Sequence, residues 1–456
     1  MSGAQRNIIG HAAANPTKAF FVRMLTRDIS LDDCILDLID NSIDGAWKSS
    51  GKIPTSFVRN KDLSDFSIDV EFSDEVFRIT DNCGGITFDD AVNYAFTFGA
   101  SEQHRAPNYS VGVYGIGMKR AVFKIGNEIA IDSTFRGPKK LEAFRVPINV
   151  DKWLSSTQPS WDFDIDELEP RKVPGVDIEI RSIRDEVRMT LADPEYAANL
   201  RRVLARDYMV SLMRGLNIKV CGKKVEAPDF EILSGVDYAP MRITKHEKDV
   251  KIEIVAGMWS SPPDDNEPEE SGRQPDVQSG WYVICNGRVV LDADRTSVTG
   301  WGRDGDLPQW HTQYKGFVGV VFFSSKRPEL LPMTTTKRNI DVSSALYLRT
   351  LPLMREPTRA WINYTNGRKN NPSAREKEAK LKAVDITAVR NSAVVKLPSF
   401  KMRAKDKVAN VNYTVPVQRM RNLARALGNP LMNYKEVGQK SFDIVYDEYM
   451  AEDQDS

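Results

Sequence analysis

Apolar residues at Ile35, Leu38, Ile39, Ile43 and Ala46 recur at helical spacing and predict an amphipathic helix over Leu31–Trp47, LDDCILDLIDNSIDGAW. The same stripe leaves Asp37 and Asn41 one turn apart on another face. Phe66–Phe72 alternates apolar and polar residues as a half-buried strand does. Val76–Thr80 follows as its hairpin partner, which sets Asp81 at a strand end. Asp89–Phe98 reads as a helix, Gly99–Gly117 as a long lid-like loop, and Lys119–Lys124 as a helix. Antiparallel strands are then expected at Glu128–Thr134, Leu141–Val150 and Gly175–Arg181, and a helical segment at Asp193–Gly215.

A second domain is expected to begin near Asn217, with strands at Ile218–Val220, Lys251–Trp259, Gly280–Leu291 and Gly316–Phe323. Within it Ser260–Ser279, carrying PPDDNEPEE, reads as an acidic, Pro-rich loop. The pattern predicts an α+β fold in three parts: 1–215 with its loop at 99–117, 216–350, and a C-terminal mixed helical region over 351–456. In the last part Met420, Leu423, Leu427 and Leu431 suggest an amphipathic helix, suited to a dimer or partner surface.

At 456 residues the chain calls for two or three domains, and 41% hydrophobic residues suffice to bury their cores. The formal net charge is zero, so any contact with nucleic acid needs a local patch. Residues 368–407 offer one, with twelve Lys or Arg against four Asp or Glu. Such a run either binds phosphate backbones or is a solvated helix face, and Val384, Ile386, Val389, Val394, Val395 and Leu397 give this one apolar residues to bury. Cys34, Cys83, Cys221 and Cys285 form no CxxC pair, which argues against a zinc site or a disulfide framework. No apolar run approaches the ~18 residues of a spanning helix, and the N-terminus lacks the plan of a signal peptide, so no membrane role and a cytoplasmic location are expected.

The chemistry lies in three stretches. On the first helix an amide and a carboxylate at i and i+4 can meet one ligand: the amide oxygen of Asn41 suits a hard cation, and Asp37 can orient or deprotonate a water. A polar outer face of an ordinary helix would look the same. The second stretch, VFRITDNCGGI, ends in Asp81, Asn82 and two glycines. The third, FGASEQHRAPNYSVGVYGIGMKRA, places Gly112, Gly115 and Gly117 before Lys119 and a helix, where consecutive N–H groups can face a phosphate.

In this order and spacing, DLIDNSIDGA, ITDNCGGI and GVYGIGMKRA resemble the GHKL ATPases, the Bergerat-fold superfamily of gyrase B subunits, MutL, ninety-kilodalton chaperones, sensor histidine kinases and Microrchidia (MORC) ATPases. The likeness is closest to MORC-like and MutL-like members. It implies a Bergerat α/β sandwich with a mainly antiparallel mixed sheet and helices on one face, ATP and Mg²⁺ as ligands, and an ATP-dependent homodimer. By resemblance Asn41 holds Mg²⁺, Asp81 meets the adenine amine, Gly85 with Ile86 lets the base approach, and Gly115, Ile116, Gly117, Met118 and Lys119 hold the phosphates. YVICNGRVV resembles a strand of MutL-like and gyrase-like transducer domains. Met333–Asp341 then falls where such domains supply a lysine to the γ-phosphate, with Lys337 the candidate and Lys326 and Arg327 the alternatives.

Three positions depart from the family. Asp37 stands in place of the usual glutamate base, which makes hydrolysis slow or shifts the water. Cys83 replaces the first glycine of the adenine turn, where a side chain restricts the backbone. Val176 replaces a threonine that supports the adenine-binding aspartate. Arg120 and Lys124 read as surface charge, and the helix Lys18–Leu25 either reaches a partner subunit or packs on its own domain.

The resemblance implies an ATP-hydrolysing dimeric clamp in DNA repair, chromosome organisation or defence. Alternatives are a nucleotide-sensing module without turnover, which a protein partner would read, and a chaperone or a kinase. The kinase is disfavoured because His11 is the only histidine before the motifs.

Overall fold

The computed structural model describes residues 16–98, 108–112, 115–156, 161–263, 278–303, 307–368, 371–400, 414–430 and 432–450. The chain divides into two compact units, Met1–Lys401 and Met402–Ser456.

The first unit opens with α1 (Lys18–Arg27) and α2 (Leu31–Ser50). The Ser30 hydroxyl accepts the Asp33 N–H at 3.1 Å to cap α2, and Gly51 ends it in the left-handed region at φ +66. Strands β1 (Ser67–Phe72) and β2 (Phe77–Asp81) pair as the expected hairpin. The helix expected at Asp89–Phe98 is a short α3 (Phe88–Asp90) that widens into a π turn at Ala91–Ala95. Then come α4 (Gly117–Ile125), β3 (Gly126–Arg136), β4 (Leu141–Asn149), α5 (Val150–Ser155), β5 (Asp166–Glu167) and β6 (Gly175–Ile183). Helices α6 (Asp185–Leu191), α7 (Tyr196–Asp207) and α8 (Met209–Met213) lead to β7 (Asn217–Val220) and β8 (Lys223–Lys224).

The first sheet runs β5-β4-β3-β6-β2-β1-β7-β8. Its strand β7 corrects one expectation. Ile218–Val220 was to open the second domain, yet β7 lies parallel to β1, with Ser67 opposite Asn217 and Val70 opposite Val220. Parallel pairing needs a long crossover, and α6–α8 supply one that returns the chain to the free edge of β1. Alternate residues such as Ile68 and Val70, and Ile129 and Ile131, bury into one core with Ile35, Ile39 and Ile43 of α2.

The second sheet is built from β9 (Glu231–Ser234), β10 (Met241–Glu247), β11 (Val250–Met258), β12 (Gly280–Cys285), β13 (Arg288–Asp294), β14 (Phe317–Ser325) and β15 (Lys382–Asp385). Its order is β13-β12-β14-β11-β9-β15, with β10 on β11. The single strand expected at Gly280–Leu291 is two antiparallel ones. Asn286 and Gly287, at φ +46 and +85, make the tight turn between them, because both residue types tolerate positive φ. Each sheet is mainly antiparallel, and the parallel pairs are β1–β7 and β12–β14. Helices α9 (Ala345–Arg368) and α10 (Pro372–Glu378) follow β14.

Much of the basic segment is built into this fold. Strand β15 pairs with β9, Ile386 and Val389 are buried, and Arg368 is held in a buried ion pair with Glu378 at 2.6 Å. Its residues 401–407 lie outside the described residues, as do 264–277 of the acidic loop.

Helix α1 packs on its own domain. Phe21 meets Phe98 edge-on at 4.9 Å and Trp161 at 5.3 Å, and Lys18 sits 4.8 Å over the Trp153 ring. The second unit contains α11 (Val417–Ala426) and α12 (Tyr434–Met450), joined through Ala424, Met432 and Val437 with Met420 and Leu427 against them. Leu431 lies outside the described residues.

Among the described residues, no helix is long and apolar enough to cross a membrane.

Candidate functional site: a cavity between the second helix and the loop carrying Lys337

A cavity of about 450 Å³ opens between α2, the β2 turn, the start of α4 and the loop carrying Lys337. That volume lies within the range of small-molecule sites. The first wall is α2. Asp37, Asp40, Asn41 and Asp44 follow the i, i+3, i+4, i+7 rule, so one helix face carries three carboxylates and an amide. Asn41 is exposed and lines the cavity, and its side chain makes no hydrogen bond among the described residues.

The second wall is the turn after β2. The Asp81 carboxylate is buried and accepts the Ser42 hydroxyl at 2.6 Å, the Cys83 N–H at 2.8 Å and the Val176 N–H at 3.1 Å. Burial raises the Asp81 carboxyl against the lowering effect of these donors. The loss of a threonine at Val176 is thus made good by the main chain. Cys83 does not strain the turn: the positive φ values fall on Gly84 (+111) and Gly85 (+74). A Cβ on Gly85 would stand 2.0 Å from the Thr134 carbonyl oxygen. The Ser133 hydroxyl closes the turn, accepting the Ile86 N–H at 2.7 Å and donating to the Ile86 carbonyl at 2.8 Å.

The third wall is the entry to α4. Gly115 has φ +63, and Ile116 precedes the helix at Gly117. A Cβ at Gly117 would sit 3.1 Å from the Asp37 carboxyl carbon, so glycine lets α4 begin directly over Asp37. Met118 is buried. Lys119 is buried too, with its ammonium donating to the Ala95 carbonyl at 2.9 Å and to the Gly115 carbonyl. Burial lowers it to about 8. Of the loop expected at 99–117, residues 99–107 and 113–114 lie outside the described residues. The described Val111 and Gly112 donate their N–H groups to the Asp44 carboxylate at 3.0 Å each. Burial drives Asp44 up to about 7 in spite of these donors.

The fourth wall comes from the far end of the first unit. Lys337 lies in a tight loop closed by the Met333–Ile340 bridge and takes φ +58, an uncommon conformation for a side-chain-bearing residue. Its ammonium donates to Asp37 at 3.0 Å and Asp40 at 2.8 Å, all three groups being buried. Burial opposes the lysine's charge, but the two carboxylates outweigh it and raise its pKa. Burial likewise opposes the charge on Asp40, and Lys337 and Arg288 together hold its pKa below the ordinary carboxylate range. Lys326 and Arg327 are exposed and do not line the cavity.

Arg120 corrects an expectation. It is no surface charge: its side chain is 13% exposed, and Nε and a terminal nitrogen reach Asp37 at 2.7 and 2.6 Å. Lys124 is also largely covered and pairs with Glu186 at 2.8 Å.

Residues 29–173 match the family model described as Histidine kinase-, DNA gyrase B-, and HSP90-like ATPase. This segment is a GHKL-type ATPase domain. The matched GHKL segment contains α2, the Asp81 turn and the start of α4, whereas Lys337 lies outside it. A comparison with curated proteins found no match.

Sequence reasoning missed Asp40, Asp44 and Arg120. The two aspartates were accessible from helical spacing, since they share the face of Asp37 and Asn41. Arg120 had no comparable signal, because its partner is 83 residues away.

Proposed function

We propose that the chain binds ATP with Mg²⁺ in this cavity and hydrolyses it, using the closure of Lys337 on Asp37 to couple nucleotide state to the second sheet. Support comes chiefly from one observation: a lysine outside the matched GHKL segment is buried against the carboxylate expected to act on water. Asp81 and the turn at Gly85 would hold the base. Asn41 suits Mg²⁺, since its uncommitted amide lines the cavity and this ion takes hard oxygen ligands while keeping several waters. When bound, the ion neutralises phosphate charge.

In the reaction, a water oxygen bonds to the γ-phosphorus as the bond to the bridging oxygen breaks, its electron pair leaving on ADP. Asp37 would orient the water and take its proton, while Lys337 and the N–H groups at α4 stabilise charge on the phosphoryl oxygens. Lys337 bridging two parts of the fold makes the ATP and ADP states differ in shape. We extend the proposal to an ATP-dependent dimer acting on duplex DNA, which rests on the likeness to MORC and MutL proteins alone. Exposed Lys380, Lys382 and Arg390 of the basic segment would supply its phosphate contacts.

A second reading has its own observation. Both oxygens of Asp37 are held by cations, Lys337 on one and Arg120 on the other. A carboxylate so engaged suits a nucleotide sensor that turns over little or not at all.

The test is Mg²⁺-dependent ATP turnover and solution mass for wild type, Asp37→Ala and Asn41→Ala, with and without duplex DNA. The hydrolase reading expects turnover to fall about 100-fold or more in Asp37→Ala while ATP-induced dimers persist. A wild type that binds ATP and dimerises without turnover under every condition would leave the sensor reading. Mass and turnover unmoved by ATP and DNA would remove the clamp.

A further inference from the structure

Four cations line the cavity; Lys48 stands at its exposed rim and pairs with Asp90 at 3.8 Å, and the three covered ones differ in how many donors they hold free. Lys119 gives its ammonium to two main-chain carbonyls. Lys337 gives its ammonium to two carboxylates. Arg120 uses Nε and one terminal nitrogen on a single oxygen of Asp37, and among the described residues its other terminal nitrogen has no acceptor. It therefore has the largest unused donor capacity of the three, in the planar fork that matches a phosphate. It also stands on the first turn of α4, a nine-residue helix whose N-terminal glycine leaves the space beside Asp37 open.

Asp37 can release this guanidinium without being stranded. Its other oxygen remains on Lys337, and Lys337 is itself balanced by Asp40, which has Arg288 nearby at 3.6 Å. Loss of a sole partner would strand a buried carboxylate, but here one of two cations suffices.

We propose that Arg120 is a substrate-contacting residue: on binding of a nucleoside triphosphate its guanidinium leaves Asp37 for the terminal phosphate, freeing one Asp37 oxygen for the attacking water. The inference rests on the ATP-binding reading above and deepens it. A diphosphate lacks the group that competes for the guanidinium, so the exchange distinguishes the two nucleotides. It also reconciles a doubly held Asp37 with hydrolysis, because the carboxylate is released only when the phosphate to be transferred is present.

The experiment is equilibrium binding of the β,γ-imido analogue of ATP and of ADP, each with Mg²⁺, to the full chain by calorimetry. Wild type, Arg120→Gln and Arg120→Lys are compared. Wild type should prefer the imidotriphosphate. Arg120→Gln should lower that preference about tenfold or more, with ADP affinity held within about twofold. Arg120→Lys keeps a charge on Asp37 but loses the fork, and should lie between the two. If Arg120→Gln does not fold, Arg120→Lys decides: a preference equal to that of wild type overturns the proposal. Parallel loss of both ligands, or an unchanged ratio, would make Arg120 only a clamp on Asp37. A wild type that binds neither nucleotide would sink the ATP reading itself, an outcome visible before any variant is made.

Discussion

Lys337 and Asp37, 300 residues apart in the chain, are joined by a 3.0 Å ion pair inside the protein. Asp40 shares the same ammonium at 2.8 Å, so one cation serves two buried carboxylates. Replacing Lys337 by Met should therefore cost roughly 1–3 kcal/mol of stability, most of it borne by Asp40, whose remaining cation Arg288 stands 3.6 Å away while Asp37 keeps Arg120. Adding Asp40→Asn should recover part of that loss. Urea denaturation of the two single variants and the double one measures the coupling, and simple additivity would show that the lysine does not bind the pair together.

The turn after Asp81 predicts an asymmetry between neighbours. Gly85→Ala forces a Cβ against the Thr134 carbonyl in a left-handed conformation, so it should lose roughly 1–3 kcal/mol and weaken ATP binding about tenfold or more. Cys83→Gly changes no required φ and should lose only about 1 kcal/mol, with ATP affinity within about threefold. Melting temperature and calorimetric titration of both variants make the comparison.

Asp44 carries a pH signature. Its folded value of about 7 lies above the ordinary value of a free carboxyl, so between those two limits the folded chain keeps a proton that the unfolded chain has released. Its contribution is full below the lower limit and is lost as pH rises through about 7. Asp44 keeps part of its surface open to the cavity, which limits the effect to roughly 1–3 kcal/mol. Wild type measured at pH 5 and pH 8 should lose more stability across that interval than Asp44→Asn does, and equal slopes would count against a buried proton there.

Arg288 predicts a loss spread over both sheets. It leaves β13 to stack 4.5 Å over Tyr208, and it pairs with Asp207 at 3.1 Å. Arg288→Met should cost roughly 1–3 kcal/mol, since Asp207 and Asp40 each lose one buried cation but keep Arg206 and Lys337. Hydrogen exchange should show faster opening in α7 and in β13 alike; protection lost in only one of them would mean the residue does not connect the two.

What was legible in the chain was what local rules write. The helix around Asp37 follows from apolar spacing, the β1–β2 hairpin from alternation, and Asp81 falls at the strand end as expected. Less legible was what depends on distant partners. Ile218–Val220 has a strand's composition whichever sheet it joins, and only its pairing with β1 decides. Arg120 looks like any helical arginine until Asp37 is found beside it. The Asn286–Gly287 turn is the opposite case, a local signal inside GWYVICNGRVVL that a continuous apolar run concealed.

The position of β7 bears on how the chain is made. Its pairing joins residues 67–70 to residues 217–220, so β1 has an unpaired edge until the chain has been synthesised past that point. Until then the nascent sheet exposes a ready template for strands of neighbouring chains. The Asp37 and Asp40 carboxylates wait longer still, since Lys337 emerges from the ribosome more than a hundred residues later. During synthesis, the first sheet therefore forms ahead of the charge balance of its own cavity.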